Sequence, residues 1–457
     1  MSAPEEPVIA VGLLDDEPTI HFQLHGEFTL EETRELVPAG VYQVERRAHD
    51  LVMSGPKSWQ GSLVTLVPAA ASAHFRLTTE IGRDFHWAEY EEQQFAGTLR
   101  VIGATRGAGL TAINLIPTEA YLTSVICSEM SSSSPRPSLE AHAVISRSWL
   151  LARRQAKREA SAAASTRAVA SGATVAVERA DKVIRWYDNN KHADFDVCAE
   201  DHCQRYHGTA RIAGNSEAAE AIAATRGQVL MHAGHVCETV YSKCCGGISE
   251  DARVAWGDEE VAYLKPVADV RPSSPSAVVP TSMSEAAFEE HLRSAKDAYC
   301  RCEDEAVLHT VLPPRDQRTR HFFRWQERLT PDQASQYVRD KLGIDLGPLR
   351  AIEPLKRGVS GRLEQVRLVG AAGTLIVGKE LEIRRVLSST HLYSSAFSVE
   401  VQGPPDAPDA FVLHGAGWGH GVGLCQVGAA VMGHEGRSAE EILHHYYPGT
   451  TLERAYL

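Results

Sequence analysis

The sequence predicts an α+β fold of several lobes with a β-rich N-terminal part. Strand-like and helix-like stretches are segregated along the chain rather than strictly alternating. At 457 residues the chain is long for one core, so two or three lobes are expected. Its hydrophobic fraction of 43% and charged fraction of 23% are those of an ordinary globular protein.

Taken in order, residues 1–112 alternate apolar and polar side chains between glycine-bearing turns. Examples are Ile20 to Leu24 and Gly97 to Ile102, which read as short strands of a half-buried sheet. Residues 113–154 predict two helices around a bend from Ser131 to Pro137. The first runs from Pro117 to Met130, with proline at its start and Glu119 in the first turn. In the second, Leu139, Ala143, Ser146 and Leu150 share a face, while Arg147 falls off it and is expected in a cleft. Residues 155–182, rich in Ala, Ser and Arg, predict an exposed helix or a mobile excursion. Residues 183–270 mix strands and loops with a helix near Ser216 to Thr225. A Pro/Ser-rich linker follows, 271 to about 282, then a helical stretch from 283 to 350. Strands return at Leu363 to Val369 and Thr374 to Val377, and a helix from Ser438 to Tyr446 closes the chain. The domain division expected is 1–112, 113–270, a mostly helical insertion 271–355, and 356–457.

There are 46 basic and 59 acidic side chains, a formal net charge of -13, which argues against nucleic acid as a partner. No apolar run reaches the length of a membrane span. Met1 to Pro7 lacks the apolar stretch of a signal peptide, so the sequence leaves the compartment open. The nine cysteines are odd in number and unevenly spread, a pattern suited to a metal site plus free thiols better than to a disulfide framework.

Glu129 is the most informative side chain. Leu122, Val125 and Ile126 form an apolar stripe at helical spacing, and Glu129 extends that stripe. It also sits at the negative end of the helix dipole. Burial and the dipole both disfavour the charged form and suit a general acid. The competing reading is a surface glutamate beside a frayed helix end.

A second constellation is His192, Cys198 and Cys203. Thiolates and imidazole within one short loop suit zinc; free thiols or a Cys198–Cys203 disulfide are the alternatives. The fourth ligand is open between water, His202, His207, Cys244 and Cys245. Cys300 and Cys302 lack a matching second pair and read as ordinary thiols. Gln204 and Tyr206 directly follow Cys203, so a metal would fix their positions. The Gly-rich stretch 415–428 lacks the Gly-Lys-Ser/Thr of a phosphate loop. Its glycines alternate with Trp418, His420 and Val422. That pattern lets the backbone approach closely and leaves the side chains between the glycines to define a surface. A tight packed turn with a buried histidine is the alternative.

Four motifs in order resemble the stage II sporulation protein D family (SpoIID/LytB type). They are Ile113 to Leu122 leading into Val125 to Met130 and then Leu139 to Leu150; Tyr241-Ser242-Lys243-Cys244-Cys245-Gly246-Gly247 with Trp256, Tyr263 and Leu264; Gly417 to Ala429; and His444 to Thr450. His142 stands where the family usually has glutamine, and Ser148-Trp149 where it has threonine-tyrosine. The resemblance implies a substrate cleft between α/β lobes and cleavage of peptidoglycan glycan strands by a lytic transglycosylase mechanism, on strands stripped of stem peptides. It implies Glu129 as acid/base, with Tyr241, His420 and Gln426 orienting the sugar or stabilising charge. Arg147, Gln204, Tyr206, Ser242 and Trp418 become candidate substrate-binding residues. His192, Cys198 and Cys203 become zinc ligands that brace the cleft wall. Two other functions stand beside this one. The first is a non-catalytic glycan-binding protein that enhances a cell-wall amidase; the second is a zinc hydrolase with the metal as Lewis acid.

Overall fold

Alternating burial builds the N-terminal part. In Thr19–His25, Ile20, Phe22 and Leu24 are buried and the residues between them are not. The computed structural model describes residues 5–457 apart from 83–88, 132, 165–174, 180, 188–191, 201, 210–211, 213–215, 273, 275–277, 295–296, 313–315 and 317–320. A seven-stranded sheet runs in the order Val197–Cys198, Val8–Glu17, Leu110–Pro117, Thr98–Gly103, Val64–Pro68, Phe28–Leu30, Leu36–Val37. A six-stranded sheet runs Glu89–Phe95, His74–Ile81, Thr19–His25, Gly40–Arg47, Asp50–Ser54, Trp59–Gly61. Ile9, Val11, Phe22, Val44, Phe75 and Leu99 from the two sheets belong to one core.

Two helices pack on that core. Thr118–Glu129 contributes Tyr121, Leu122, Val125 and Ile126, and Arg136–Ala164 contributes Leu139, Val144 and Ile145. Pro117 caps the first helix without a side-chain hydrogen bond. The N-terminal segment supplies the acceptors instead: Thr118 N–H donates to the Pro7 carbonyl (3.0 Å) and Glu119 N–H to Glu6 Oε1 (2.9 Å).

A second core lies in the other half of the chain. Its five-stranded sheet is ordered Val175–Arg179, Lys182–Trp186, Thr374–Gly378, Leu363–Gly370, Leu349–Arg357. A three-stranded sheet, Arg324–Leu329, Ala410–Ala416, Phe397–Gln402, and the helices Pro331–Leu342 and Glu380–Val386 complete it. Val183, Val338, Leu368, Val377, Ile383 and Leu413 fill it. The hairpin of residues 175–186 thus leaves the first half of the chain and joins the second core through parallel pairing of Lys182–Ile184 with Ile376–Gly378.

The fold class is α+β, as expected. Leu110–Pro117 is continuous through residue 112 and Leu349–Arg357 through residue 355, each hydrogen-bonded into its sheet on either side of that residue. The stretch 283–350 is not wholly helical. Arg324–Leu329 is a strand whose two buried residues, Trp325 and Leu329, happen to be four apart, which mimics a helical period. The long helix continues past 154 to Ala164, after which residues 165–174 lie outside those described. Among the described residues no helix is long and apolar enough to cross a membrane.

Candidate active site

The cleft opens between the two cores, with a volume of about 290 Å³. Its first wall carries Glu129, His202, Cys203, Arg205, Tyr241, Ser242, Lys243 and Gln426. Its second carries Tyr187, Glu380, Leu381 and Arg384, with Trp256, Trp418 and His420 between.

Glu129 ends its helix with only 8% of its surface exposed, on the buried face that the apolar stripe predicts. Oε1 accepts from the Arg205 N–H (3.1 Å) and from the Tyr241 hydroxyl (3.3 Å). Lys243 Nζ donates to the Glu129 main-chain carbonyl (3.2 Å), satisfying an orphan acceptor at the helix C-terminus. The same ammonium lies 2.8 Å from Asp316 Oδ2, and Arg205 Nη1 lies 3.6 Å from Asp316 Oδ1. The acid is therefore framed by two cations that share a carboxylate from the inserted segment. Burial first, then the nearby Glu129 charge, pushes the Tyr241 phenol well above its usual range, so it remains a neutral donor.

Tyr241 and Ser242 reach the cleft because they pair in parallel with Leu424 and Cys425. That pairing depends on the Gly-rich loop. A Cβ on Gly423 would lie 2.1 Å from the Val240 carbonyl, and one on Gly421 would lie 2.3 Å from the Arg362 guanidinium. Both glycines have positive φ. Fully buried Arg362 donates to the carbonyls of Gly419 (2.9 Å), Cys245 (3.0 Å) and Cys244 (3.3 Å), tying the loop to the Tyr241 strand. His420 Nδ1 accepts from the Val422 N–H (3.1 Å), and its ring centroid is 4.9 Å from that of Trp256. Burial first, then Arg362 and Arg384, depress His420 to about 3, so its imidazole is neutral.

Gln426 is buried and meets His142, Nε2 to Nε2, at 2.9 Å. His142 Nδ1 is 3.1 Å from Ser146 Oγ, and the His142 ring stands edge-on to Tyr241, centroids 4.6 Å apart. Burial first and Lys243 second lower His142 to about 3. A neutral imidazole with its proton on Nδ1 satisfies both neighbours. His142 is thus a strut between Gln426 and the long helix.

Three expected cleft residues lie elsewhere. Arg147 is 0% exposed and pairs with Glu119 (2.6 Å), donating also to the Gln228 carbonyl (3.0 Å). A guanidinium with its charge and donors satisfied in the core has none to offer a substrate. Glu119 also accepts from the Tyr456 hydroxyl (2.6 Å) and the Gly227 N–H (3.1 Å). Burial opposes its ionisation, but Arg147, Tyr456 and Gly227 outweigh it and hold the carboxyl below its usual range. Tyr206 is fully buried between Phe95 and Tyr121 and donates to Asn114 Oδ1 (2.6 Å). Gln204 donates to the Ser146 carbonyl (3.3 Å) and accepts from Tyr121 (3.3 Å). Both anchor the loop that carries Arg205 and do not line the cleft. Trp418 does line it, yet it is 8% exposed and packed against Tyr393 and Phe322; half-buried Trp256 offers the more open indole.

His192, Cys198 and Cys203 converge, and His202 is the fourth member: their ligand atoms all lie within 4.8 Å of one another. Cys203 Sγ is 3.4 Å from His192 Nε2 and 3.5 Å from His202 Nδ1, and Cys198 Sγ is 3.8 Å from His202 Nδ1. Bonds of about 2.3 Å to sulfur and 2.0 Å to nitrogen put the sulfur–nitrogen edge of a zinc tetrahedron near 3.5 Å. The donor set therefore fits zinc. Cys198 is fixed by its strand, whose pairing aligns Val197 with Val11 and Cys198 with Gly12. The loop leaving this cluster delivers the Arg205 N–H to Glu129.

The stage II sporulation protein family matches residues 106–232, which hold Glu129 and the four-ligand loop. A domain of unknown function matches residues 250–423, which hold Trp256, Glu380, Arg384 and His420. Stage II sporulation protein D of Bacillus subtilis (strain 168) is 22% identical over 344 residues, covering 75% of this chain and 76% of that protein. The chain carries a stage II sporulation protein domain and is similar to stage II sporulation protein D along three quarters of its length. Stage II sporulation protein D of Bacillus amyloliquefaciens is 27% identical over 148 residues, 32% of this chain and 38% of the relative. The amidase enhancer of Bacillus subtilis (strain 168) is 35% identical over 71 residues, 16% of this chain and 9% of that protein. Tyr241, Ser242, Lys243 and Gln426 fall outside both matched segments and still face Glu129's cleft. Arg205, Lys243, Asp316 and the strut formed by His142 escape sequence reasoning, because each takes its role from a partner distant in the chain.

Proposed function

We propose that the protein cleaves peptidoglycan glycan strands as a lytic transglycosylase, with Glu129 as its single general acid and base. The observation that carries this reading is one carboxylate held at the cleft by a main-chain N–H and a neutral tyrosine, both bonded to the same oxygen. Glycosidases that deliver water use two carboxylates, about 5–5.5 or 6.5–9.5 Å apart. Glu380, the other acid on the cleft wall among the described residues, is engaged by Arg384 (3.5 Å) and the Ser395 N–H (3.3 Å). One acid suffices when the substrate supplies its own nucleophile. Glu129 gives its proton to the glycosidic oxygen between MurNAc and GlcNAc, and the bond from C1 to that oxygen breaks. The carboxylate then takes the proton of the muramic C6 hydroxyl as that oxygen closes on C1. The product is a 1,6-anhydro sugar, and no water is consumed.

The Arg205 N–H and Tyr241 hydroxyl steady the carboxylate while it is charged. Neutral His420 and the Ser242 hydroxyl face the sugar hydroxyls, and Trp256 offers a stacking surface. Zinc at His192, Cys198, His202 and Cys203 would serve as a closed structural site, fixing the loop that presents the Arg205 N–H. The preference for peptide-free strands that the sequence resemblance implies makes such strands the substrate to test.

Mass spectrometry of peptide-free strands incubated with wild type and with Glu129→Gln tests this. Anhydro-ended sugars from wild type alone support it; water-terminated products contradict it. The amidase-enhancer relative favours a second reading, in which the same cleft binds strands for a separate amidase. Strand binding without products, together with faster cleavage by an added amidase, would select that reading.

A further inference from the structure

A second group of ligating side chains lies in the core. Cys245, Asp269, Cys300 and Cys425 are all buried, and one ligand atom from each lies within 4.8 Å of every other. We propose that these four side chains hold a single divalent zinc-class cation, at a site separate from the His192 cluster and from the glycan cleft.

The spacing is the first argument. Cys245 Sγ and Cys300 Sγ are 3.6 Å apart. A disulfide would bring them to about 2.05 Å. Two thiolates sharing one tetrahedral zinc, each at about 2.3 Å, sit near 3.8 Å from each other. Cys245 Sγ lies 3.2 Å from Asp269 Oδ2, close to the sulfur–oxygen edge of about 3.5 Å expected for the same tetrahedron. An iron–sulfur cluster distributes its thiolates over separate irons, which spreads the sulfurs more widely than this. Three soft sulfurs and one carboxylate suit a single zinc-class ion.

The surroundings are the second argument. Main-chain N–H groups point at the sulfurs: Cys245 and Gly428 donate to Cys425 Sγ at 3.3 and 3.4 Å, and Gly247 donates to Cys245 Sγ at 3.4 Å. Cys425 is also the N-cap of the helix Gln426–His434, where the dipole favours a thiolate. Asp269 is oriented through its other oxygen, which accepts from the Tyr446 hydroxyl (2.5 Å) and lies 3.7 Å from His445. Metal-binding carboxylates are held by outer hydrogen bonds of this kind. A buried set of thiolates and a carboxylate needs a counter-charge, and a cation supplies it.

The position gives the ion a structural task. Cys245 follows the strand Tyr241–Ser242, Cys425 ends the strand Leu424–Cys425, and Cys300 belongs to the inserted segment. The ion would fasten that segment to the two strands of the cleft wall. Cys300, read from the sequence as an ordinary thiol, becomes its anchor.

Elemental analysis of the full chain, dialysed against a weak chelator, tests the proposal. The expected content is two zinc ions per chain, falling to one in Cys425→Ser and to one in Cys203→Ser. A Cys425→Ser protein that folds and keeps the wild-type content overturns it. Cobalt substitution of wild type gives a readout that needs no variant. Thiolate-to-cobalt charge transfer should correspond to five thiolates, two from the His192 cluster and three from this one. Intensity matching two thiolates, or a Cys245–Cys300 disulfide in non-reducing peptide maps, overturns it as well.

Discussion

Two carboxylates of one helix, Glu119 and Glu129, meet different surroundings. Glu119 is locked to Arg147, Tyr456 and Gly227 in the core, whereas Glu129 faces the cleft on two neutral donors. Removing one partner of a buried ion pair strands the other charge. Glu119→Gln should therefore cost about 3 kcal/mol of stability, read from denaturant midpoints. His142 and His420 define an acid-side response. Unfolded, each takes a proton near 6.5; folded, each resists until about 3. Between those values the unfolded chain binds more protons, so stability rises with pH through this window and is lost as pH falls from 6.5. His142→Gln keeps a hydrogen-bonding side chain without the titration. Melting temperatures measured across that range should fall less steeply for the variant than for wild type.

Two loops carry the cleft, and each is held by a different device. The Gly-rich loop depends on close backbone approach, so Gly423→Ala sets a methyl against the Val240 carbonyl at a positive φ. The expected loss is more than about 1 kcal/mol, with weakened pairing of Tyr241–Ser242 to Leu424–Cys425 checked by hydrogen exchange. The His192–Cys203 loop depends on ligand convergence. Chelation should lower the melting temperature and glycan cleavage together, with exchange rising across residues 192–207, and added zinc should restore all three. Cleavage that disappears on chelation while Glu129→Gln stays active would point to metal-driven hydrolysis instead.

At the scale of the molecule, a cleft forms where two cores meet, and the Arg362 and Lys182–Ile184 contacts stitch them together. Much of this was legible in the sequence. The period of Leu122, Val125 and Ile126 places Glu129 on the buried face, and glycine alternation marks the tight loop beside His420. The spacing of His192, Cys198 and Cys203 marks the metal-type cluster, with His202 among the candidate fourth ligands. What was not legible is pairing across the fold. Periodicity says that Arg147 leaves one face but not that Glu119 waits to neutralise it. Nor does it say that Asp316 of the insertion joins Lys243 and Arg205 behind the acid. Tyr206 and Gln204 follow a ligand in the chain, yet their polar atoms are used by Asn114, Tyr121 and Ser146.

The central claim is that Glu129 alone moves the proton in this cleft. Its most direct test is the initial rate of glycan cleavage by Glu129→Gln, measured beside strand affinity and melting temperature. The account predicts a rate lower by about 10²–10⁴-fold, with affinity and melting temperature near those of wild type. A variant that binds, melts like wild type and still cleaves at the wild-type rate would contradict it.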